Sequence, residues 1–202
     1  AQDMTVQADG TVTMNRPVVV NSNVYVLAGG MLTHSANVAD EVNKLRLSVR
    51  GDMNVDTNAS LDVTGKGYAS GQGPGRRSHG GRGGASWDTL GPCYGSIVAP
   101  TNLGSGGAAT IASGGGAILL AVSGVLRHHG LMAADGIDGN TPSAGGSVWL
   151  KCGSLSGLGT IRANGGFYLY GSGGGGRIAL VVTNAGADFS LYTGSVSAFS
   201  GG

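Results

Sequence analysis

The chain is poor in the residues that most hydrolytic enzymes use. Only 11% of its 202 residues are charged, and Glu41 is its single glutamate. Enzymes that cleave polysaccharides commonly need two carboxylates on facing positions. Asp52, Asp56 and Asp62 come closest to such a set, but aspartates at strand ends are ordinary turn residues. The sequence therefore predicts a protein that is not an enzyme, with a polysaccharide lyase or hydrolase as the least favoured alternative.

The chain also lacks a strong net charge and long apolar runs. Its formal net charge is +1, which gives no general electrostatic attraction for nucleic acid or anionic membranes. No apolar stretch approaches the roughly 20 residues of a transmembrane helix. Because 41% of the residues are apolar, the composition does not favour disorder. We therefore expect a folded protein with neither a nucleic-acid partner nor a membrane span.

Cysteine is scarce, since Cys93 and Cys152 are the only two. In an oxidising compartment, two cysteines invite one disulfide. Cys152, however, shares its repeat position with Val49, Val122 and Val182, where a free thiol would behave as a small apolar side chain. The sequence leaves both interpretations open.

Glycine is abundant, with 41 residues, and a 30-residue repeat governs the second half of the chain. Residues 115–120 read GGAILL, residues 145–150 read GGSVWL and residues 175–180 read GGRIAL. A unit of this size buries its apolar face only by stacking on its neighbours. The sequence therefore predicts a single repeat domain over residues 1–202, with regular repeats from residue 115 onward.

The repeats have β character. No stretch of ten or more residues shows a helical period, whereas short alternating runs rich in Val, Ile, Leu and Thr are cut by Gly, Asn and Asp. A glycine-rich insertion, residues 65–116, separates the early runs from the regular repeats. The predicted fold is all-β: a right-handed parallel β-solenoid with the insertion packed along one face. The early strands are predicted at Thr11–Met14, Val18–Val20, Val24–Leu27, Met31–Thr33, Leu45–Val49, Met53–Val55 and Leu61–Val63.

Alignment of the repeats predicts which side chains face the core, because alternate residues of a strand share one face. In the first strand of each repeat the inward set is Leu45, Leu47 and Val49, then Ile118, Leu120 and Val122, then Val148, Leu150 and Cys152, then Ile178, Leu180 and Val182. In the second strand it is Leu61 and Val63, then Leu131 and Ala133, then Ile161 and Ala163, then Val196 and Ala198.

The opposite face of the first strand is unusually apolar. It carries Leu119, Trp149 and Ala179 in the later repeats, where the early copy has Arg46. A contiguous apolar surface of this kind calls for a cover. We expect the glycine-rich insertion to provide that cover, with another chain as the alternative.

A basic cluster lies inside the insertion. Arg76, Arg77, His79 and Arg82 fall within the run GPGRRSHGGRGG, residues 73–84. Guanidinium groups and exposed backbone N–H groups suit a sulfate, a phosphate or a uronate, which makes these residues candidates for anion or glycan binding. The favoured alternative is a loop whose arginines donate to backbone carbonyl groups.

Asp135, Asp138 and Asn140 are the candidate metal ligands. Closely spaced oxygen ligands suit calcium, the only cofactor that the sequence suggests. The 12-residue loop pattern with a late glutamate is missing, and ordinary turn chemistry explains the same residues. Calcium therefore stays the weaker of two interpretations.

Several short sequence motifs occur together in a recognisable order. They are LTHS at 32–35, GKGY at 65–68, GGRGG at 80–84, YGS at 94–96, GTIRANGG at 159–166 and GGGRIA at 174–179. Over about residues 24–202 they resemble a glycine-rich β-helical region of large, mostly uncharacterised secreted bacterial surface proteins. The resemblance implies a cell-surface or extracellular location and a passive structural or adhesive role, with no catalytic residues to carry over. Such regions usually lie within much longer proteins.

The hypothesis that best fits these patterns is an extracellular structural or adhesive rod. The start Ala1-Gln2-Asp3, without Met, is compatible with a cleaved signal peptide, so we expect secretion. Both ends of the chain read as lightly charged strands, and an uncapped coil exposes strand edges and core. The candidate contact residues for stacking end to end, or for continuation into a longer solenoid, are Val6, Val12, Val196 and Phe199.

A carbohydrate-binding module is the alternative function. It would use the basic cluster of the insertion together with aromatic side chains. Trp87, Tyr94 and Trp149 are the aromatic candidates, and an extracellular polysaccharide would be the partner.

Overall fold

The fold consists of short β-strands joined by glycine-rich and Asx-rich turns, in a computed structural model that describes residues 2–84, 89–108, 112–169 and 171–201. Within these ranges there are sixteen strands and no helix. The strands are β1 (Met4–Val6), β2 (Thr11–Thr13), β3 (Val18–Val20), β4 (Val24–Val26), β5 (Met31–Thr33), β6 (Leu45–Val49), β7 (Met53–Val55), β8 (Ser60–Asp62), β9 (Ala117–His128), β10 (Leu131–Ala133), β11 (Ser147–Ser156), β12 (Thr160–Arg162), β13 (Phe167–Tyr168), β14 (Gly171–Ser172), β15 (Arg177–Val182) and β16 (Ser195–Ser197).

Two parallel sheets contain all but two of these strands. Sheet A has eight strands, in the order β1-β4-β7-β9-β11-β15, with β6 also paired with β9 and β3 paired with β6. Sheet B has the order β2-β5-β8-β10-β12-β16. The remaining strands, β13 and β14, form an antiparallel hairpin. The prediction of an all-β fold with parallel pairing is thus confirmed. In the described ranges no helix is long and apolar enough to span a bilayer.

The chain returns to the same sheet position at regular intervals. Val24 pairs with Met53, and Leu126 pairs with Leu155, a step of 29 residues in both cases. Met53 pairs with Leu126, 73 residues on, because the insertion lies between β8 and β9. Each return adds one or two strands to sheet A and one to sheet B, and we call each such return a coil.

Inward side chains of successive coils lie directly above one another. In sheet A, Leu47 pairs with Leu120, Leu120 with Leu150 and Leu150 with Leu180. The first three are buried, and Leu180 on the outermost strand is half-buried. Inward side chains of both sheets belong to one hydrophobic cluster, which stabilises the stack by removing apolar surface from water. The inward positions predicted for the first strand of each repeat are confirmed.

Both inward predictions for β10, Leu131 and Ala133, are wrong by one residue. Met132, not Leu131, pairs with Leu61 and Ile161, and it is fully buried whereas Leu131 is half-buried. The cause is an irregularity in the pairing of β9 with β11: Cys152 pairs with Val122, but Ser154 pairs with Val125. β9 therefore carries one extra residue, as in a β-bulge, and the repeat of 30 shortens to 29 downstream.

The described part of the insertion lies partly on the outer face of sheet A, as expected, and partly elsewhere. It packs against the glycine-rich turns that lead into β9, β11 and β15, where Ala144 donates to the Ser105 carbonyl at 2.9 Å and Gly81 donates to the Gly175 carbonyl at 2.9 Å. These backbones approach closely because side chains are missing. A Cβ added at Gly80 would lie 2.0 Å from the carbonyl oxygen of Gly176. The insertion also covers the start of the outer face of sheet A, where the Asn102 carbonyl accepts from Ser147 Oγ at 2.6 Å, while Leu119 and Trp149 further along this face are half-buried.

Candidate functional site

The structure separates the four residues of the basic cluster. Arg76 and Arg82 are exposed, whereas Arg77 is 2% exposed and His79 is fully buried. Arg77 Nη2 donates to the carbonyl oxygens of Gly84 at 2.7 Å and Ser172 at 3.3 Å. Arg77 thus joins the insertion to the β13–β14 hairpin. This contact follows the pattern of arginines donating to backbone carbonyl groups, and no single solvent-facing group of four residues forms.

His79 is an internal packing residue. Its Nδ1 donates to the Gly145 carbonyl at 2.8 Å, and its ring centroid lies 4.7 Å from that of Tyr94. Burial lowers the pKa of His79 to about 4, so the ring is neutral at ordinary pH. A neutral buried imidazole provides no positive charge for an anion in solution.

Tyr94 holds the second half of the insertion in place. Its hydroxyl donates to the Leu103 carbonyl at 2.5 Å and lies 2.9 Å from Ser105 Oγ. Arg177 Nε of β15 donates to the Tyr94 carbonyl at 2.9 Å. Burial raises the pKa of the Tyr94 hydroxyl, which stays protonated. Tyr94 therefore contributes to internal packing, and Trp87 lies outside the described residues.

Glu41 is at the centre of the polar contacts that hold the insertion, a role that the sequence pattern did not predict. Its Oε1 accepts from Tyr68 Oη at 3.1 Å, from Asn102 Nδ2 at 3.0 Å and from the Leu103 N–H at 3.2 Å. Its Oε2 forms an ion pair with the buried Lys44. Burial acts to raise the pKa of Glu41, but the hydrogen bonds from Lys44 and Asn102 outweigh it and the net pKa is lowered.

The candidate calcium ligands serve as acceptors between coils. Asp135 Oδ1 accepts the Asn164 N–H at 2.7 Å, and Asp138 Oδ1 accepts the Phe167 N–H at 2.7 Å. Asp135 also forms an ion pair with Arg162, at 2.6 Å between Oδ2 and Nε. Asn140 is exposed. Across the described residues, no three His, Cys, Asp or Glu side chains are arranged to hold a metal ion.

The candidate assembly residues differ strongly in exposure. Val6 is 1% exposed and Val12 is half-buried, whereas Val196 is 46% exposed and Phe199 is 71% exposed. Val196 lies on β16, the outermost strand of sheet B. The described stack therefore has one edge with its apolar side chains largely uncovered.

The outer face of sheet A forms a shallow groove that the sequence pattern anticipated only as an apolar patch. The groove has a volume of about 400 Å³. Leu119 and Trp149 are paired on β9 and β11 and lie in it, with Arg46 and Lys151 at its sides and Thr101 of the insertion at its border. The groove differs from the other surface concavities in that an aromatic side chain, Trp149, lines it.

The two cysteines are not bonded to each other. Cys93 is exposed, and Cys152 is buried in register with Val122 and Val182. Burial raises the pKa of the Cys152 thiol to about 11, so the thiol stays protonated. The structure therefore agrees with the interpretation of Cys152 as a free thiol that packs as a small apolar side chain.

Comparison with known proteins does not assign this structure to a family. No family model, curated protein or solved structure matches the chain. The resemblance to a glycine-rich β-helical region of secreted bacterial proteins therefore stays a prediction.

Proposed function

We propose that the chain is a right-handed β-solenoid that acts as an extracellular structural or adhesive element and docks end to end with further copies of itself. The observation that carries this proposal is the apolar edge at β15 and β16. Phe199 is 71% exposed there, and Leu180 is half-buried although its register partner Leu150 is fully buried. A further coil placed on this edge would cover both side chains.

The handedness follows from a general rule. Connections between parallel strands of one sheet are right-handed in about 98% of cases, because the twist of the strands favours that path. Each coil here passes from sheet A to sheet B and returns beside its own starting strand. The single hydrophobic cluster shared by the two sheets supports a closed solenoid cross-section.

The opposite edge of the stack carries an open concavity. It has a volume of about 480 Å³ and is lined by Met4, Val12, Met14 and Val18 together with Thr13, Asn15 and Arg16. Docking of the exposed apolar edge into this concavity would be a heterologous contact, which propagates as an open filament. The unpaired backbone groups of the outermost strands add hydrogen-bonding capacity to both surfaces.

A structural role also fits the use of the acidic residues. Asp52 accepts the Val125 N–H and pairs with Arg127, while Asp135 and Asp138 bind backbone groups of the next coil. Carboxylates engaged in this way stabilise the stack and are not positioned as a catalytic pair. The proposal therefore includes no enzymatic activity.

Sedimentation and electron microscopy over a range of protein concentrations test the proposal. We expect rods of constant width whose length grows with concentration. Phe199→Lys and Val196→Lys should shift the protein towards monomers, because each places a charge in the contact. Val38→Lys is the matched control, since Val38 is 69% exposed but lies in the connection between β5 and β6. A monodisperse monomer at high concentration, or an equal effect of Val38→Lys, would refute end-to-end docking.

A further inference from the structure

The groove on the outer face of sheet A lies along the side of the stack, and of its lining residues only Pro17 adjoins an edge strand, β3. Its floor is a row of register partners: Arg46 on β6, Leu119 on β9 and Trp149 on β11. Lys151 follows two residues after Trp149 on the same strand and therefore points to the same side of the sheet. An apolar face of this size on a folded protein commonly marks a binding site.

The charges at the groove have one sign. Arg46 and Lys151 are the only ionisable side chains among the described residues that line it. Neighbouring strands are about 4.8 Å apart, so Arg46 begins about 10 Å from Trp149, and Lys151 begins about 7 Å from it along the strand. A ligand that matches this pattern has a flat apolar surface at its centre and negative charges on both sides.

The backbone around the groove limits what kind of polymer can bind. β6, β9 and β11 each have a neighbouring strand on both sides. Their main-chain groups are therefore used within the sheet, and an extended peptide cannot add a strand at this face. Recognition here depends on side-chain surfaces and charges, which suits a chain of sugar rings better than a peptide.

We infer that this groove binds an acidic polysaccharide, a polymer of uronic acid whose chain runs across the strands of sheet A. The C–H face of one sugar ring packs on the indole of Trp149. The guanidinium group of Arg46 binds a carboxylate of the polymer in the planar, two-point geometry that favours arginine over lysine, and Lys151 binds a second carboxylate. This site is independent of the proposed docking of coils, because it uses none of the edge residues.

Isothermal titration calorimetry of the whole chain with an alginate hexasaccharide tests the inference, with cellohexaose as the neutral match. We expect the acidic oligosaccharide to bind and the binding to weaken as salt rises, since screening acts on exposed charges. Trp149→Ala should weaken binding about tenfold or more, the amount that corresponds to about 1.4 kcal/mol. Arg46→Gln and Lys151→Gln should each weaken it about two- to fivefold, as expected for exposed ion pairs.

Arg50→Gln is the matched control, because Arg50 is exposed just after β6 but does not line the groove. It should leave binding unchanged. Lys151→Gln keeps the test valid if Trp149→Ala fails to fold, since Lys151 is exposed. Equal binding of cellohexaose, unchanged binding by Lys151→Gln, or equally tight binding of a polyglutamate peptide would overturn the assignment. End-to-end docking is scored separately by sedimentation.

Discussion

Asn23 accepts the backbone N–H of Asp52, the residue beside it on the next coil, through its side-chain oxygen at 2.9 Å. The same contact repeats on both sides of this pair: Asp3 accepts the Asn23 N–H at 3.0 Å, and Asp52 accepts the Val125 N–H at 2.9 Å. We call this series of Asx side chains, each bonded to the following coil, the Asx ladder. The ladder residues lie just before β1, β4 and β7. Their side chains provide acceptors for backbone N–H groups of the following coil.

A first prediction concerns the energy of one step in the ladder. Asn23→Ala removes the acceptor of the half-buried Asp52 N–H and should lower the free energy of unfolding by about 1 kcal/mol. Chemical denaturation measures the difference. Asn184→Ala is the control, because Asn184 follows β15 and, among the described residues, its side chain accepts no backbone N–H. Equal destabilisation by both variants would mean that the ladder bond contributes nothing specific.

A second prediction separates the two faces of β9. Leu120→Asp should prevent folding, because Leu120 is 2% exposed in the core and an unpaired buried charge costs several kcal/mol. Leu119→Asp should be much milder, since Leu119 lies on the floor of the open groove. Thermal melts of the two variants decide the matter. A stable Leu120→Asp protein would refute the inward register, and an unfolded Leu119→Asp protein would mean that the groove is covered.

A third prediction concerns the contacts that hold the insertion. Trypsin should cleave slowly after Arg76 and Arg82 in the native protein, because backbone hydrogen bonds tie this segment to the coils. Glu41→Gln removes the charge that pairs with Lys44 and should accelerate both cleavages. Asp40→Asn, an exposed neighbour, should not. Rapid cleavage of the unaltered protein, with the coils left intact, would show that the insertion is a free tether.

The fourth prediction is a loss of stability in acid. Burial lowers the pKa values of His34, His79 and His128 to about 4 each. In the unfolded chain these imidazoles titrate near their ordinary value of about 6.5. Between the two values the unfolded state binds more protons, so the free energy of unfolding should fall as the pH drops from about 6.5 to about 4. Each histidine contributes on the order of 3 kcal/mol to this fall.

Equilibrium unfolding at a series of pH values measures that slope. His79→Gln should make this slope shallower, by the contribution of one titrating histidine. His129→Gln alters an exposed histidine and should leave the slope unchanged. His34 gives the effect a structural basis, because its Nε2 accepts the Ala117 N–H at 3.2 Å and a protonated ring cannot do so. A flat profile between pH 6.5 and 4 would contradict the prediction.

The sequence predicted the strands well where alternation was the only determinant. Val18–Val20, Met31–Thr33, Leu45–Val49 and Met53–Val55 have the expected bounds. The shift at Met132 was not predictable, because the bulge in β9 depends on its pairing with neighbouring strands. A count of residues from one repeat to the next does not contain that information.

The role of Glu41 was missed, and the partners of Arg77 were not identified, for a related reason. Leu103, which donates to Glu41, is 62 residues away along the chain, and Ser172, which accepts from Arg77, is 95 residues away. No local pattern connects such residues. By contrast, the apolar row of Leu119 and Trp149 was visible in the aligned repeats, and the insertion covers the start of this face at Ser147 and Arg177.

The long step between Met53 and Leu126 has a consequence for how the protein folds. The early coils close over steps of 20 to 29 residues, but β7 and β8 find their partners β9 and β10 only after about 70 residues of intervening chain. The extra loop length costs little at equilibrium, about 0.8 kcal/mol for 73 residues against 29. It matters for the rate, because distant pairings form slowly. The coils before residue 65 and those after residue 116 should therefore assemble as two separate nuclei, and the joint between β8 and β10 should set the folding rate of the whole chain.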